Sequence, residues 1–254
     1  MDDMSWIFDS HIHLSDPEYQ SDMSQIIKSM KRLKIKTCCV SMDYETSQKT
    51  LEISKISNLI LPFIGVHPEM AQNDVSKTIE LIEKNHKDIT GIGEIGLDRT
   101  YINSEDQWEK QVDVFKKHLE LAEKLGKPIS VHSRKTLEDI FEILNSYSIK
   151  RVLLHWFDGR KSQLQKAMDL GYYVSFGPLL LYANDKQTLI SKARRDRILI
   201  ETDGPVRFSG CFGMKTAQIT FLHSIIFCAS KILGLKYNEM EDVLEKNSLN
   251  YLGI

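Results

Sequence analysis

The sequence predicts an α/β chain closed into a (β/α)8 TIM barrel. Short apolar runs rich in Val, Ile and Phe alternate with longer segments of helical period, the pattern of successive βαβ units. Eight such runs occur, at residues 6–10, 37–42, 60–65, 90–94, 128–132, 151–155, 172–176 and 197–201. Most begin about 20 to 40 residues after the one before, which is room for one crossover helix each. The 254 residues also match the size of one such barrel, so a single domain over 1–254 is expected.

Helices are expected near 21–33, 46–57, 75–86, 105–125, 136–147, 161–170, 184–194, 214–233 and 239–252. In the segment 105–125, Trp108, Val112, Phe115, Leu119 and Ala122 recur every three or four residues, and Gly126 with Pro128 ends the run. The helix at 239–252 is additional to the repeating units. No linker or low-complexity stretch interrupts the pattern.

Composition narrows the function classes. Lys and Arg total 33 against 35 Asp and Glu, a formal charge of −2, which excludes the broad cationic field of a duplex-coating protein. Any polyanion must be held by a local patch. Cys38, Cys39, Cys211 and Cys228 show no C-x-x-C spacing and are read as reduced thiols, the adjacent pair facing opposite sides of a strand. The acidic start MDDMSW leads straight into the first strand, and no run approaches about 18 apolar residues. The expectation is a cytoplasmic chain with no membrane partner.

Six of the eight runs close on a side chain that can bind a metal: IFDSHIHL, FIGVHPEM, TGIGEIGLD, PISVHSR, RVLLHWFDG and RILIETDGP. The C-terminal strand ends of a parallel barrel converge on one face, so ligands scattered in sequence meet in space. His11 and His13, two apart on a strand, share a face, though an H-x-H pair alone also closes ordinary strands. Glu94 stands in an apolar run with Gly91, Gly93 and Gly96, and a buried carboxylate there needs a partner, such as two shared metal ions or a salt bridge. Asp98 is read either as steadying a ligand or the substrate, or as a cap. His132 and His155 occupy equivalent places on successive strands. Asp203 closes the last strand before a Gly-Pro turn, where it can bind a metal and accept a proton from water. His86, His118 and His223 fall in helical segments and are read as surface or packing residues. Arg99, Arg134, Arg160 and Arg207 lie near strand ends and suggest a phosphate-bearing substrate, with Arg134 placed best.

Taken together, DSHIHL, GVHP, GEIGLD, the 111–125 helix leading into PISVHSR, LLHWFDG, GYYVSFGP and ETDGP resemble, in order over residues 8–205, the TatD family of metal-dependent deoxyribonucleases, which are amidohydrolase-like TIM barrels. The resemblance implies two divalent ions (Mg, Mn or Zn). His11, His13, Glu94 and Asp203 would hold one and Glu94, His132 and His155 the other, with Asp203 accepting the proton of the attacking water. It places His67 in the active-site wall; Asp98, Arg134 and Arg207 are the substrate-binding candidates from their residue types and places near strand ends. The sequence departs from the family at Arg99 and Thr100, at HWFDG in place of the commoner HCFSG, and at VRFSGCFGMK after the last ligand. HWF and ETDGP are similar to a branch that includes the TatD-like nuclease of Qat anti-phage systems.

The expected activity is hydrolysis of DNA phosphodiester bonds, as a 3′-5′ exonuclease on single-stranded or frayed ends. Two alternatives stand beside it. One keeps the metal centre and takes a small amide, lactone or phosphoester. The other makes the barrel a subunit acting mainly within a multiprotein assembly, docked through the apolar run 219–233.

Overall fold

The computed structural model describes residues 5–254; the acidic start at Met1 to Met4 lies outside them. Eight strands, β1 (Ile7–Ile12), β2 (Ile35–Cys39), β3 (Ile60–Ile64), β4 (Gly91–Asp98), β5 (Ile129–Arg134), β6 (Val152–Leu154), β7 (Tyr173–Phe176) and β8 (Ile198–Ile200), form one sheet in sequence order. Every neighbouring pair is parallel. Around it lie α1 (Met23–Arg32), α2 (Tyr44–Ile56), α3 (Ser76–Lys84), α4 (Glu105–Leu125), α5 (Leu137–Leu144), α6 (Lys161–Asp169), α7 (Asn184–Lys192), α8 (Phe221–Leu233) and α9 (Tyr237–Leu252).

The two-residue period of extended chain sorts the core into two layers. Phe8, Cys38, Phe63, Leu153, Tyr173 and Leu199 cluster together, and Tyr251 and Leu252 of α9 join them. Their strand neighbours Ile7, Cys39, Ile64, Val152, Val174 and Ile198 pack in the larger cluster with the helices. Cys38 and Cys39 therefore separate as expected, and all four cysteines are free thiols. Tyr251 is fully buried and its hydroxyl donates to the Ile129 carbonyl at 3.0 Å, which ties the extra helix to the barrel.

Side chains and loop backbone join β8 to β1 at the seam. Ser10 Oγ donates to the Ile200 carbonyl at 2.8 Å, and Thr202 donates to the Asp9 carboxylate from its backbone nitrogen at 2.9 Å and its hydroxyl at 2.6 Å. Beyond the strands, Asp203 N donates to the His11 carbonyl and His13 N to the Gly204 carbonyl, at 3.0 and 2.8 Å. Asp9 is fully buried, and burial pushes its carboxyl up to about 7 against the pull of the Thr202 hydrogen bonds.

Two elements differ from the sequence expectation. The fourth strand does not stop at residue 94 but continues to Asp98, with a register shift between Ile92 and Ile95 in its pairing to β5. Glu94 therefore sits in mid-strand at an irregularity, which re-aims a side chain as a bulge does. The helix expected from residue 214 begins at Phe221. Ahead of it, β9 (Arg207–Phe208) and β10 (Lys215–Thr216) pair as a small antiparallel ribbon turned by Gly210 and Gly213, both at positive φ, so these residues are committed to strand pairing before the helix starts.

His118 links the α4 core to acid stability. It is fully buried with Nδ1 2.7 Å from the Val114 carbonyl, and burial lowers its pKa to about 4. The folded chain thus holds the neutral ring, while the unfolded chain takes up a proton near pH 6.5. Its contribution is complete above the unfolded value and drains as pH falls toward the folded one, by roughly 2–3 kcal/mol. Urea unfolding of the parent and His118→Gln between about pH 4 and 7 is expected to show a shallower acid loss in the variant; parallel losses would contradict this.

Candidate metal centre

The strand ends bring the expected residues to one cavity of about 720 Å³, whose wall includes His13, His67, Glu94, His132, His155 and Asp203. His11 lies just beneath, fully buried, its ring stacked on that of His155 with centroids 3.8 Å apart. The two-residue spacing on β1 places His11 and His13 together, their centroids 5.2 Å apart.

Glu94 divides its two oxygens between two groups of imidazoles. Oε2 lies 3.3 Å from Nε2 of His11 and 3.3 Å from Nε2 of His13. Oε1 lies 2.7 Å from His155 Nε2, 2.8 Å from His132 Nδ1 and 3.5 Å from His67 Nε2. Asp203 Oδ1 completes the first side, 3.7 and 3.8 Å from the Nε2 atoms of His11 and His13.

The other nitrogen of each ring decides which lone pair faces the centre. His11 Nδ1 meets Ser130 Oγ at 2.9 Å, so Nε2 is left toward Glu94 and Asp203 with no hydrogen-bond partner, although it is buried. His132 Nε2 meets the fully buried Asp98 Oδ2 at 2.8 Å, which leaves Nδ1 for the centre. His67 differs: Glu69 N donates to its Nδ1 at 3.2 Å, so the proton of the neutral ring sits on Nε2, which meets His132 Nδ1 at 3.3 Å and lies 3.5 Å from Glu94 Oε1. Although His67, Glu94 and His132 are close enough to surround a cation, His67 is thereby a donor in the wall. His11, His155 and Glu201 form a similar trio, but both Glu201 oxygens already accept bonds, from Trp156 N and Ser175 Oγ.

Electrostatics favour the cation-binding form at Glu94, His11 and His155 and the protonated form at His13, His132 and Asp203. Burial alone would raise the Glu94 pKa, but His155, His67 and His11 overcome it and hold the carboxyl well below its ordinary range. Burial, with the neighbouring His155, keeps His11 neutral, and burial lowers His67 to about 4. His132 is lifted to about 9, where bonds to Asp98 and Glu94 outweigh burial. Burial also holds Asp203 well above the usual carboxylate range. A buried anion beside the neutral imidazoles of His11 and His155, with the ligand nitrogen of His11 orphaned, fits a divalent ion that accepts nitrogen and oxygen, and such an ion would displace the protons that His132 and Asp203 otherwise hold.

The other expected site residues separate. Asp98 does not reach the cavity; it is buried beneath His132 and also accepts from Thr100 N at 2.7 Å. Of the four arginines only Arg134 lines the cavity. Arg207 pairs with Glu18 at 2.8 Å, Arg99 lies on the Trp108 ring at 3.8 Å and pairs with Asp139, and Arg160 sits at the start of α6. The ring of arginines is thus one arginine: Arg99 and Arg207 find partners on neighbouring helices and loops, and Arg160 is exposed at the start of its helix.

Glu201 was not singled out from sequence, and the backbone geometry at Gly96, Trp156 and Asp203 was not read there. Glu201, fully buried and pushed up to about 8 by burial, braces the chain after His155 through Trp156 N at 2.7 Å. Its signal was available, two residues before Asp203 in ETD. Gly96 adopts φ +143°, and a Cβ there would overlap the His132 carbonyl oxygen, so β4 can approach the His132 backbone only as glycine. Trp156 and Asp203 both hold positive φ, 42° and 50°, a strained conformation for the bulky Trp in particular, at the ends of β6 and β8.

Comparison with known proteins agrees with this geometry. The family model for TatD-related DNases matches residues 8–253. The human deoxyribonuclease TATDN3 is 28% identical over 97% of this chain and 93% of its own length. An uncharacterized metal-dependent hydrolase of Buchnera aphidicola, BU355, is 32% identical over 87% of this chain and 89% of its own. The crystal structure of YJJV, a TatD homolog from Escherichia coli K12, superposes with a TM-score of 0.89 at 21% identity, covering 98% of each chain. Such likeness supports the barrel, and the family match over nearly the whole chain supports the rest: the chain belongs to the TatD-related DNase family.

Proposed function

We propose that the chain is a two-metal deoxyribonuclease that removes nucleotides from single-stranded or frayed DNA ends in the 3′-5′ direction. The observation that carries this reading is the division of Glu94, with His11 and His13 on Oε2 and His132 and His155 on Oε1. His11, His13, Glu94 and Asp203 would hold one ion and Glu94, His132 and His155 the other. Divalent ions there supply an electrophile for the phosphoryl oxygens and lower the pKa of a water that attacks phosphorus.

The chain's own groups supply the rest. Asp203 Oδ1, facing the first set, is placed to take the proton of the attacking water. Arg134 presents its guanidinium to the cavity, where it can pair with phosphate oxygens. Asp98 holds His132 in the orientation that turns Nδ1 toward Glu94. The lining carries Asp16, Glu69 and Asp158, the last paired with Lys186, and Arg134 is its single Arg or Lys, so a long phosphate tract meets few cations there. The docking reading is weakened, because Leu222, Ile225, Ile226 and Ala229 of α8 are buried in the barrel wall and Phe227 alone is an exposed large apolar residue there.

With end-labelled single strands and Mg, Mn or Zn, cleavage from the end is expected, and Asp203→Asn should slow it by about 10²- to 10⁴-fold. Undiminished activity in Asp203→Asn, or turnover of small esters and amides with intact DNA, would refute the assignment. Asp98→Ala should weaken divalent binding by about 10- to 100-fold in calorimetric titration, and an unchanged affinity would remove Asp98 from its place behind His132.

A further inference from the structure

The Trp156 ring stands in the cavity wall immediately after His155. Its backbone is pinned, with the nitrogen donating to Glu201 Oε1 at 2.7 Å and to Ser175 Oγ at 3.1 Å. The ring is backed by Phe208, with centroids 5.4 Å apart and planes inclined by 25°. Phe208 meets Phe212 edge-on at 6.2 Å, and Phe212 stacks on Phe221 of α8 at 4.3 Å. A column of aromatic rings thus runs from a barrel helix to Trp156 in the cavity wall. A second ring, Tyr101, lines the same cavity, exposed and edge-on to His67 at 5.8 Å.

We propose that Trp156 is a base-stacking platform that sets substrate choice at this site: the terminal nucleotide engages through its base on the indole as well as through its phosphate. This rests on the nuclease reading above. A backed and pinned aromatic ring contributes contact at little cost in side-chain entropy, and every nucleobase offers a π-face to it. The lining holds one Arg, no Lys and three outer carboxylates, so contacts to further phosphates are scarce and base contact carries more of the recognition. Small phosphodiesters without a base are correspondingly poor substrates.

The test compares kcat/KM, split into kcat and KM, for the metal-loaded chain on two short single strands. One ends in an ordinary nucleotide and the other in an abasic residue at the attacked end. The unaltered chain is expected to prefer the base-bearing end by about 5- to 150-fold, the range that base–aromatic stacking supplies. Trp156→Ala should bring that ratio near unity, Trp156→Phe should retain most of it, and Trp156→Leu, which keeps apolar bulk without a π-face, should also lose it. A ratio near unity in the unaltered chain, or a preference that survives in the Ala or Leu variant, overturns the stacking role alone. Absence of any oligonucleotide cleavage by the unaltered chain overturns this inference together with the nuclease reading.

Discussion

A carboxylate buried among five histidines is the constraint on which the rest of this molecule turns. Glu94 is 3% exposed, and an ionised group at that depth is costly unless it is paired on both oxygens. No single strand can surround it. His11 comes from β1 and His13 from just past its end, His67 from beyond β3, His132 from β5 and His155 from the end of β6, so the barrel must close before the charge is satisfied. Closure and the site are therefore one problem in energetic terms.

The seam shows how local chemistry answers it. β8 is short, and Asp9, Ser10 and Thr202 bind it to β1 with side-chain hydrogen bonds. The same stretch then places His11 and Asp203 one residue from those bonds and His13 three residues on, and backbone bonds from Asp203 N and His13 N hold the two loop segments together. On the opposite side, Gly96 lets β4 approach the His132 backbone, and Asp98 and Ser130 set which nitrogen of His132 and His11 faces inward. Residues that never reach the cavity thus decide which lone pairs do.

The fold was legible because it depends on period. The alternation of apolar runs and amphipathic segments survives averaging over neighbours, and it located all eight strands. Its ends were less legible: β4 extends to Asp98 because a register shift absorbs Gly93 and Glu94, and α8 starts late because residues 207–216 pair with each other. At the site, residue type and strand-end position brought His11, His13, Glu94, His132, His155 and Asp203 into view together. The arginines misled, because position near a strand end says nothing of direction, and Arg99 and Arg207 turn toward Trp108 and Glu18. Glu201 was visible as a residue but its role was not, since it acts through the Trp156 backbone, a contact that exists only once β6, β7 and β8 are assembled.

The central claim is that one carboxylate organises two cation sites. It is tested most directly by elemental analysis and calorimetric titration of the metal-stripped chain with Mn or Zn, for the parent and for Glu94→Gln, with folding checked by circular dichroism. Two ions per parent chain and a weakening at both sites in the variant are expected. A single ion in the parent, or a variant that still binds two with unaltered affinity, would contradict it.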